Sequence, residues 1–252
     1  MSKSKPIALQ LYSVRNLAAA DFIGTLRSVA ELGYPGVEFA GYHGIPVKEV
    51  RAALDQYGLK AVGAHVAYAR FENEIELALE ELNILGCTHA AVPWLAPEMR
   101  PTTIEQATAL AVNLNAWGGK AREAGIRLGY HNHDFEFKSA GDQTIFDLLV
   151  EVTDPNLVDF ELDLGWVHFA GFDPATVMQQ IADRIPLVHV KDIAAGPVFE
   201  AVPVGEGILD WRALLATAKT CGAQWFIVEQ DNPADPIAES GRSFLNLEQY
   251  LA

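Results

Sequence analysis

Several apolar runs in this 252-residue chain end on side chains that hold metals or move protons. Phe160-Glu161-Leu162-Asp163 passes into Leu164-Gly165-Trp166-Val167-His168, and Gly129-Tyr130 passes into His131-Asn132-His133. Leu187-Val188 leads to His189-Val190-Lys191-Asp192, and Phe226-Ile227-Val228 leads to Glu229. A charge at the tip of a buried strand is costly unless something cationic holds it. Asp163, His189 and Glu229 together would place two carboxylates and an imidazole in one low-dielectric mouth, which favours a bound cation. Imidazole with carboxylate, and no thiolate, suits Mn, Zn, Co or Fe better than Mg. Singly, a histidine at a strand end reads as a hydrogen-bonded core residue and a glutamate as a lysine's partner. The convergence is what points to a metal.

The elements that would position these groups alternate along the whole chain. Apolar runs at Pro6–Tyr12, Gly36–Ala40, Leu59–His65, Thr88–Trp94, Ile126–His133, Leu157–Asp163, Pro186–Lys191 and Gln224–Glu229 read as strands. Between them lie helical patterns. One begins at Asp21 and closes at Gly33, and one opens at Pro46 and ends at Gly58. A Glu- and Leu-rich helix stops at Gly86. Thr102 with Glu105 fits a capping box for a long helix to Ala124-Gly125. Thr144–Val152 and three starts at Asp173-Pro174, Asp210 and Asp235-Pro236 complete the set. The strands are apolar throughout rather than alternating, as in a parallel sheet covered on both faces. No Gly-x-Gly-x-x-Gly follows the first strand, and eight strand–helix units close a barrel. The expected fold is α/β, a single-domain (β/α)8 TIM barrel over residues 1–252.

In such a barrel chemistry gathers at the C-terminal ends of the strands. Gln10, Tyr12, Glu38, His65, Trp94, His131, His133, Asp163, Trp166, His168, His189, Lys191 and Glu229 all fall there. Residues of one parity point into the barrel, so Asp163 shares its face with Glu161 and His189 with Lys191. Glu38 and His65 read equally as substrate contacts or as satisfied polar core. Trp94 and Trp166 offer a stacking face for a sugar ring or simple lid packing. Gly205-Glu206-Gly207 lacks the basic cluster a phosphate cradle needs, and arginine is sparse near the mouths. A neutral sugar or polyol is therefore preferred to a phosphorylated substrate.

Composition narrows the field further. The net charge of −15 opposes nucleic acid, whose affinity comes from neutralising phosphates, and opposes anionic membranes. No segment is long enough to span a membrane, and the N-terminus has no apolar signal core. Cys87 and Cys221 read as buried reduced thiols. These features imply a cytoplasmic protein, with a homo-oligomer left open.

Tyr130-His131-Asn132-His133-Asp134-Phe135-Glu136-Phe137, Asp163-Leu164-Gly165-Trp166, His189-Val190-Lys191-Asp192, Val204-Gly205-Glu206-Gly207 and Val228-Glu229 together resemble the sugar phosphate isomerase/epimerase family. This is the xylose isomerase-like barrel group that also holds ketose 3-epimerases, inosose isomerase and dehydratase, and endonuclease IV. The resemblance implies a divalent ion held by a Glu on strand five, an Asp on six, a His on seven and a Glu on eight. Asp163, His189 and Glu229 match the last three. His131 falls at the strand-five place, with Glu136 the nearest carboxylate downstream. Strand geometry favours His131 as the ligand and leaves Glu136 for acid or base work.

The resemblance implies an isomerase or epimerase of a keto sugar or keto polyol, acting through a metal-stabilised enediolate. Glu229 or Glu136 would be the base, with Lys191 or His131 returning a proton or polarising the oxygen. Glu38, His65, His133, Trp166 and His168 would contact the substrate. With histidine in the strand-five place, the two-glutamate epimerase mechanism lacks one of its partners. If a β-leaving group departs, the same site becomes a lyase or dehydratase on a keto-inositol or 3-keto-glycoside. A non-catalytic sugar-binding barrel, or a subunit completed by a partner, is the reading from another class.

Overall fold

The computed structural model describes residues 5–252, so the polar start of the chain at residues 1–4 lies outside the described residues. The strands are β1 Ile7–Gln10, β2 Gly36–Phe39, β3 Lys60–Ala64, β4 His89–Val92, β5 Arg127–His131, β6 Val158–Asp163, β7 Leu187–Val190 and β8 Trp225–Val228. They form one parallel sheet in the order β3-β2-β1-β8-β7-β6-β5-β4. An isolated parallel bridge between His65 and Ala91 joins its two ends, with Val66 N donating to Ala91 O at 2.9 Å. The sheet thereby becomes a (β/α)8 barrel, as the strand–helix alternation predicts.

The outer ring is α1 Phe22–Glu31, α2 Val47–Tyr57, α3 Ile75–Leu85, α4 Ile104–Glu123, α5 Ile145–Val152, α6 Pro174–Gln180, α7 Trp211–Thr220 and α8 Pro236–Tyr250. Asp21, Thr144, Asp173, Asp210 and Asp235 each accept a backbone N–H at a helix start, satisfying amides that the helix itself leaves free. The cap of α4 differs from expectation by one residue. Thr103 accepts from Gln106 N, and Gln106 Oε1 reaches back to Thr102 N at 2.8 Å. Either of two adjacent threonines satisfies the pattern, and the extended one takes the cap. Among the described residues no helix is long and apolar enough to cross a membrane. Cys87 and Cys221 are buried and unpaired.

Strand parity divides the interior into two environments. Leu9, Val37, Phe39, Tyr130, Phe160, Val188 and Phe226 face outward into the large core beneath the helices. Inside the barrel, Ala8, Val62, Leu187 and Ile227 form a separate apolar floor, with Trp225 packed against it. Two residues further along the strands, the inward positions become Gln10, His189 and Glu229 above that floor. One step of the pleat thus converts a packed plug into a polar layer open to the mouth.

Candidate metal centre and active site

His189 is the hub of the polar layer. Its Nε2 lies 2.8 Å from Glu38 Oε2 and 3.0 Å from Glu161 Oε1, and its Nδ1 lies 2.9 Å from Glu229 Oε2. Glu161 Oε1 also meets His65 Nε2 at 2.6 Å and faces His131 Nδ1 at 3.0 Å, although the His131 ring is not aligned for that hydrogen bond. The imidazoles of His131 and His189 cross edge to face with centroids 4.5 Å apart, and His65 stacks on His189 at 5.4 Å. Glu38 also accepts from Gln10 Nε2 at 2.8 Å, so β1 and β2 brace the hub.

Above this lies a second group. Lys191 is almost fully buried, with Nζ 3.0 Å from Glu229 Oε2 and 3.2 Å from both Asp163 Oδ2 and Asp231 Oδ1. Asp163 also caps the short helix Leu164–Phe169, accepting from Trp166 N at 3.0 Å. The glycine after Leu164 is required by packing: a Cβ on Gly165 would sit 2.4 Å from Lys191 O. Trp166, which stacks on Phe199 at 3.5 Å, carries its ring 5.4 Å from the Lys191 ammonium. The short helix is absent from the sequence-based expectation because six residues are too few for helical periodicity to show.

The charges respond strongly to burial and to one another. Burial, aided by repulsion from Glu161, lifts the Glu38 carboxyl to about 7. Burial alone would raise Glu161 as well, but the charges of His65 and His189 hold it well below the usual range. His189 is opposed by burial yet raised well above its ordinary value by Glu161 and Glu38. Burial and the neighbouring His189 drive His131 down to about 3, so it is neutral. Glu229, also resisted by burial, is kept well below the ordinary carboxylate by Lys191 and His189. Burial raises Asp163 despite Lys191 beside it.

Two overlapping four-residue groups offer ligand atoms within 4.8 Å of one another: His131, Asp163, His189 and Glu229, and His65, His131, Glu161 and His189. The first comprises the expected ligand residues. Glu161 Oε2 and Glu38 Oε1 are buried with no hydrogen-bond donor, and Asp163 Oδ2 has no aligned donor, only the Lys191 ammonium 3.2 Å away. Buried acceptors without donors, beside a neutral imidazole, fit a divalent cation of the borderline class.

These groups open onto a cavity of about 800 Å³ at the barrel mouth. His65, His131, His133, Trp166 and Glu229 line it, together with Trp94 and Asp231. Glu38, Asp163, His189 and Lys191 are buried at its edge. Two other expected residues lie away from this cluster. Glu136 is fully buried in the turn after β5, where its carboxylate accepts from Tyr130 O–H at 2.7 Å and from His133 N at 2.8 Å. It braces the loop rather than reaching over the mouth. His168 is exposed at the far end of its short helix, because the helical turn swings it away from Trp166.

Gly205-Glu206-Gly207 does cradle an anion, though it is the chain's own. Asp192 accepts from Gly205 N at 2.9 Å, Gly207 N at 3.1 Å, Ile193 N at 2.9 Å and Leu209 N at 3.3 Å. A Cβ on Gly207 would fall 2.2 Å from that carboxylate. The sequence also under-reads several groups. In the sequence Glu161 shows only its parity with Asp163, yet it lies within 3.0 Å of three histidines. Asp231 lies beyond the β8 tip, with Oδ2 buried and free of donors. Arg70 and Arg100 line the cavity although no arginine is near a strand tip, because each arrives from a connecting segment.

Known proteins resemble this chain along its length. An inosose dehydratase from Geobacillus kaustophilus is 31% identical over 191 residues, 67% of this chain and 61% of that one, so the match spans about three-fifths of the relative. A sugar phosphate isomerase/epimerase from Parabacteroides distasonis superposes with a TM-score of 0.84 at 23% identity, covering 100% of this chain and 98% of that one. An IolI protein with a bound zinc atom superposes at 0.76 and 14% identity, covering 98% of each chain. These two superpositions are likenesses of fold. The family model of the xylose isomerase-like TIM barrel matches residues 26–247, and the chain belongs to that family.

Proposed function

We propose that the chain is a divalent-metal-dependent lyase that eliminates water from a keto polyol, of the keto-inositol or 3-keto-glycoside kind. The observation that carries this is the one-sided placement of its acid–base groups. Epimerisation through a planar intermediate needs a proton acceptor on one face and a donor on the other. The strand-five place holds a neutral His131, a poor donor, and Glu136 is tied down behind the loop. Glu229 lines the cavity with Lys191 against it. The similarity to an inosose dehydratase supports the same reading.

A single carboxylate suffices for a syn elimination. Glu229 takes the proton from the carbon next to the carbonyl. The same group then returns that proton to the β-hydroxyl, which leaves as water while the C–C double bond forms. Lys191 holds Glu229 ionised for the first step, and Trp166 with His133 confines the ring at the mouth. A divalent ion held by His131, Asp163, His189 and Glu229 would supply Lewis-acid stabilisation of the developing enolate, worth several kcal/mol. The positioned base contributes about another 10²–10⁴-fold.

The test is to incubate the metal-loaded protein in D2O with a keto-inositol and with a 3-keto-glycoside, and to follow products by NMR. Formation of the dehydrated enone supports the reading. Solvent deuterium at the α-carbon with inverted configuration and no water loss would replace it with epimerisation.

A further inference from the structure

Arg100 lines the cavity, and the proposed elimination gives it no work. It lies in the connection between β4 and α4, just after a 3-10 turn at Pro97–Met99. Its position is fixed in three ways. Its backbone is extended, with φ −69° and ψ 123°, and Pro101 after it disfavours the helical alternative. Its Nε donates to Leu95 O at 3.0 Å. Its guanidinium lies over the Phe135 ring at 4.0 Å and over Trp94 at 5.2 Å. Stacking of this kind holds a guanidinium plane while leaving its edge free.

That edge has no partner in the protein. Among the described residues no carboxylate lies within 4.0 Å of Arg100, and neither Nη group donates to a protein acceptor. The other arginine on the wall is neutralised: Arg70 pairs with Glu81 at 2.8 Å and with Glu74 at 3.3 Å. Lys191 likewise faces three carboxylates. A rigid, unpaired guanidinium on a cavity wall presents two parallel N–H donors, the arrangement that matches a carboxylate or phosphate.

Its place on the rim fits a substituent remote from the reacting carbon. Phe135 stacks on His133 at 5.5 Å, and His133 meets Trp166 at 5.4 Å. Arg100 therefore stands several ring contacts along the aromatic rim from the Lys191 wall. The cavity of about 800 Å³ has room for a six-carbon ring and a further group.

Building on the proposed keto-polyol site, we infer that Arg100 anchors an oxyanion substituent of the substrate, a carboxylate or a phosphate ester, at the end away from the carbonyl. This differs from the uncharged sugar expected from the scarcity of arginine near the strand tips, and it favours the glycoside arm of the proposed function, since a keto-inositol carries no such substituent.

Non-reacting probes test this without reference to turnover, so its failure is separable from failure of the elimination reading. Isothermal titration of the full chain with D-glucose, D-glucuronate and D-glucose 6-phosphate compares one ring with and without the two oxyanions. At least one charged probe is expected to bind about 10–100-fold tighter than glucose. A gain for glucuronate alone assigns a carboxylate, and a gain for glucose 6-phosphate alone assigns a phosphate ester. Arg100→Gln should remove the gain without changing the melting temperature, and Arg100→Lys should retain part of it. If the charged probes bind no tighter than glucose, or if Arg100→Gln keeps the full gain, the inference is overturned.

Discussion

Lys191 Nζ and Glu229 Oε2 stand 3.0 Å apart at the tips of adjacent strands, both almost out of contact with solvent. The ammonium also faces Asp163 and Asp231 at 3.2 Å, so one cation is shared among three carboxylates. Burial would lower its pKa, but those carboxylates raise it above the usual lysine value. Removing one partner of a buried ion pair leaves the others uncompensated, at a cost of about 3–5 kcal/mol. Lys191→Met should therefore lower stability in urea by that order and lose most turnover. Added divalent ion should recover part of the stability by replacing the missing charge. A variant as stable as the parent, with or without metal, would remove the charge-balancing role.

The two overlapping ligand groups predict different metal phenotypes. If the ion sits with Asp163 and Glu229, Asp163→Ala and His189→Ala should lose tight binding, while His65→Ala weakens it by only about 10–100-fold through His189 and Glu161. Equilibrium dialysis with a competing chelator reads all three. Loss of metal in His65→Ala with retention in Asp163→Ala would move the ion to the lower group.

Glu136 offers a pH-dependent test in a group that the cavity does not use. Burial lifts its carboxyl from 4.5 to about 7, against the opposing hydrogen bonds from Tyr130 and His133 N. Below pH 4.5 both folded and unfolded chains carry the proton. Between 4.5 and about 7 the unfolded chain has released it while the folded chain holds it, so stability falls as pH rises. The full effect is about 3 kcal/mol. Glu136→Gln should lack this component, so its stability relative to the parent should rise across that window. Its turnover should stay within a few-fold of the parent. Parallel urea-stability profiles for parent and variant from pH 4.5 to 7 would contradict the brace.

Much of the architecture is legible in the residue pattern because barrels impose simple periodicities. The strand ends and the caps at Asp173, Asp210 and Asp235 follow from apolar runs and from residues that satisfy free amides. The convergence of His131, Asp163, His189 and Glu229 follows from parity at strand tips. Groups placed by loops are less legible. Glu136 is five residues past His131, and only the folded turn shows its carboxylate directed back at His133 N. His168 shares a sequence stretch with Trp166, but two residues on a helix turn it to the opposite face. Arg100 enters the cavity from the far end of a connection, where spacing from the strand carries no information. Glu161 is hidden for another reason. Its parity is readable, but the three imidazoles that claim it come from three other strands.

Metal-dependent elimination at one site is tested most directly by a titration. Protein stripped with chelator should show no water elimination from its keto-polyol substrate, and the rate should rise linearly to a plateau at one equivalent of divalent ion per chain. Full elimination activity in the stripped protein, unchanged by added metal, would contradict the account.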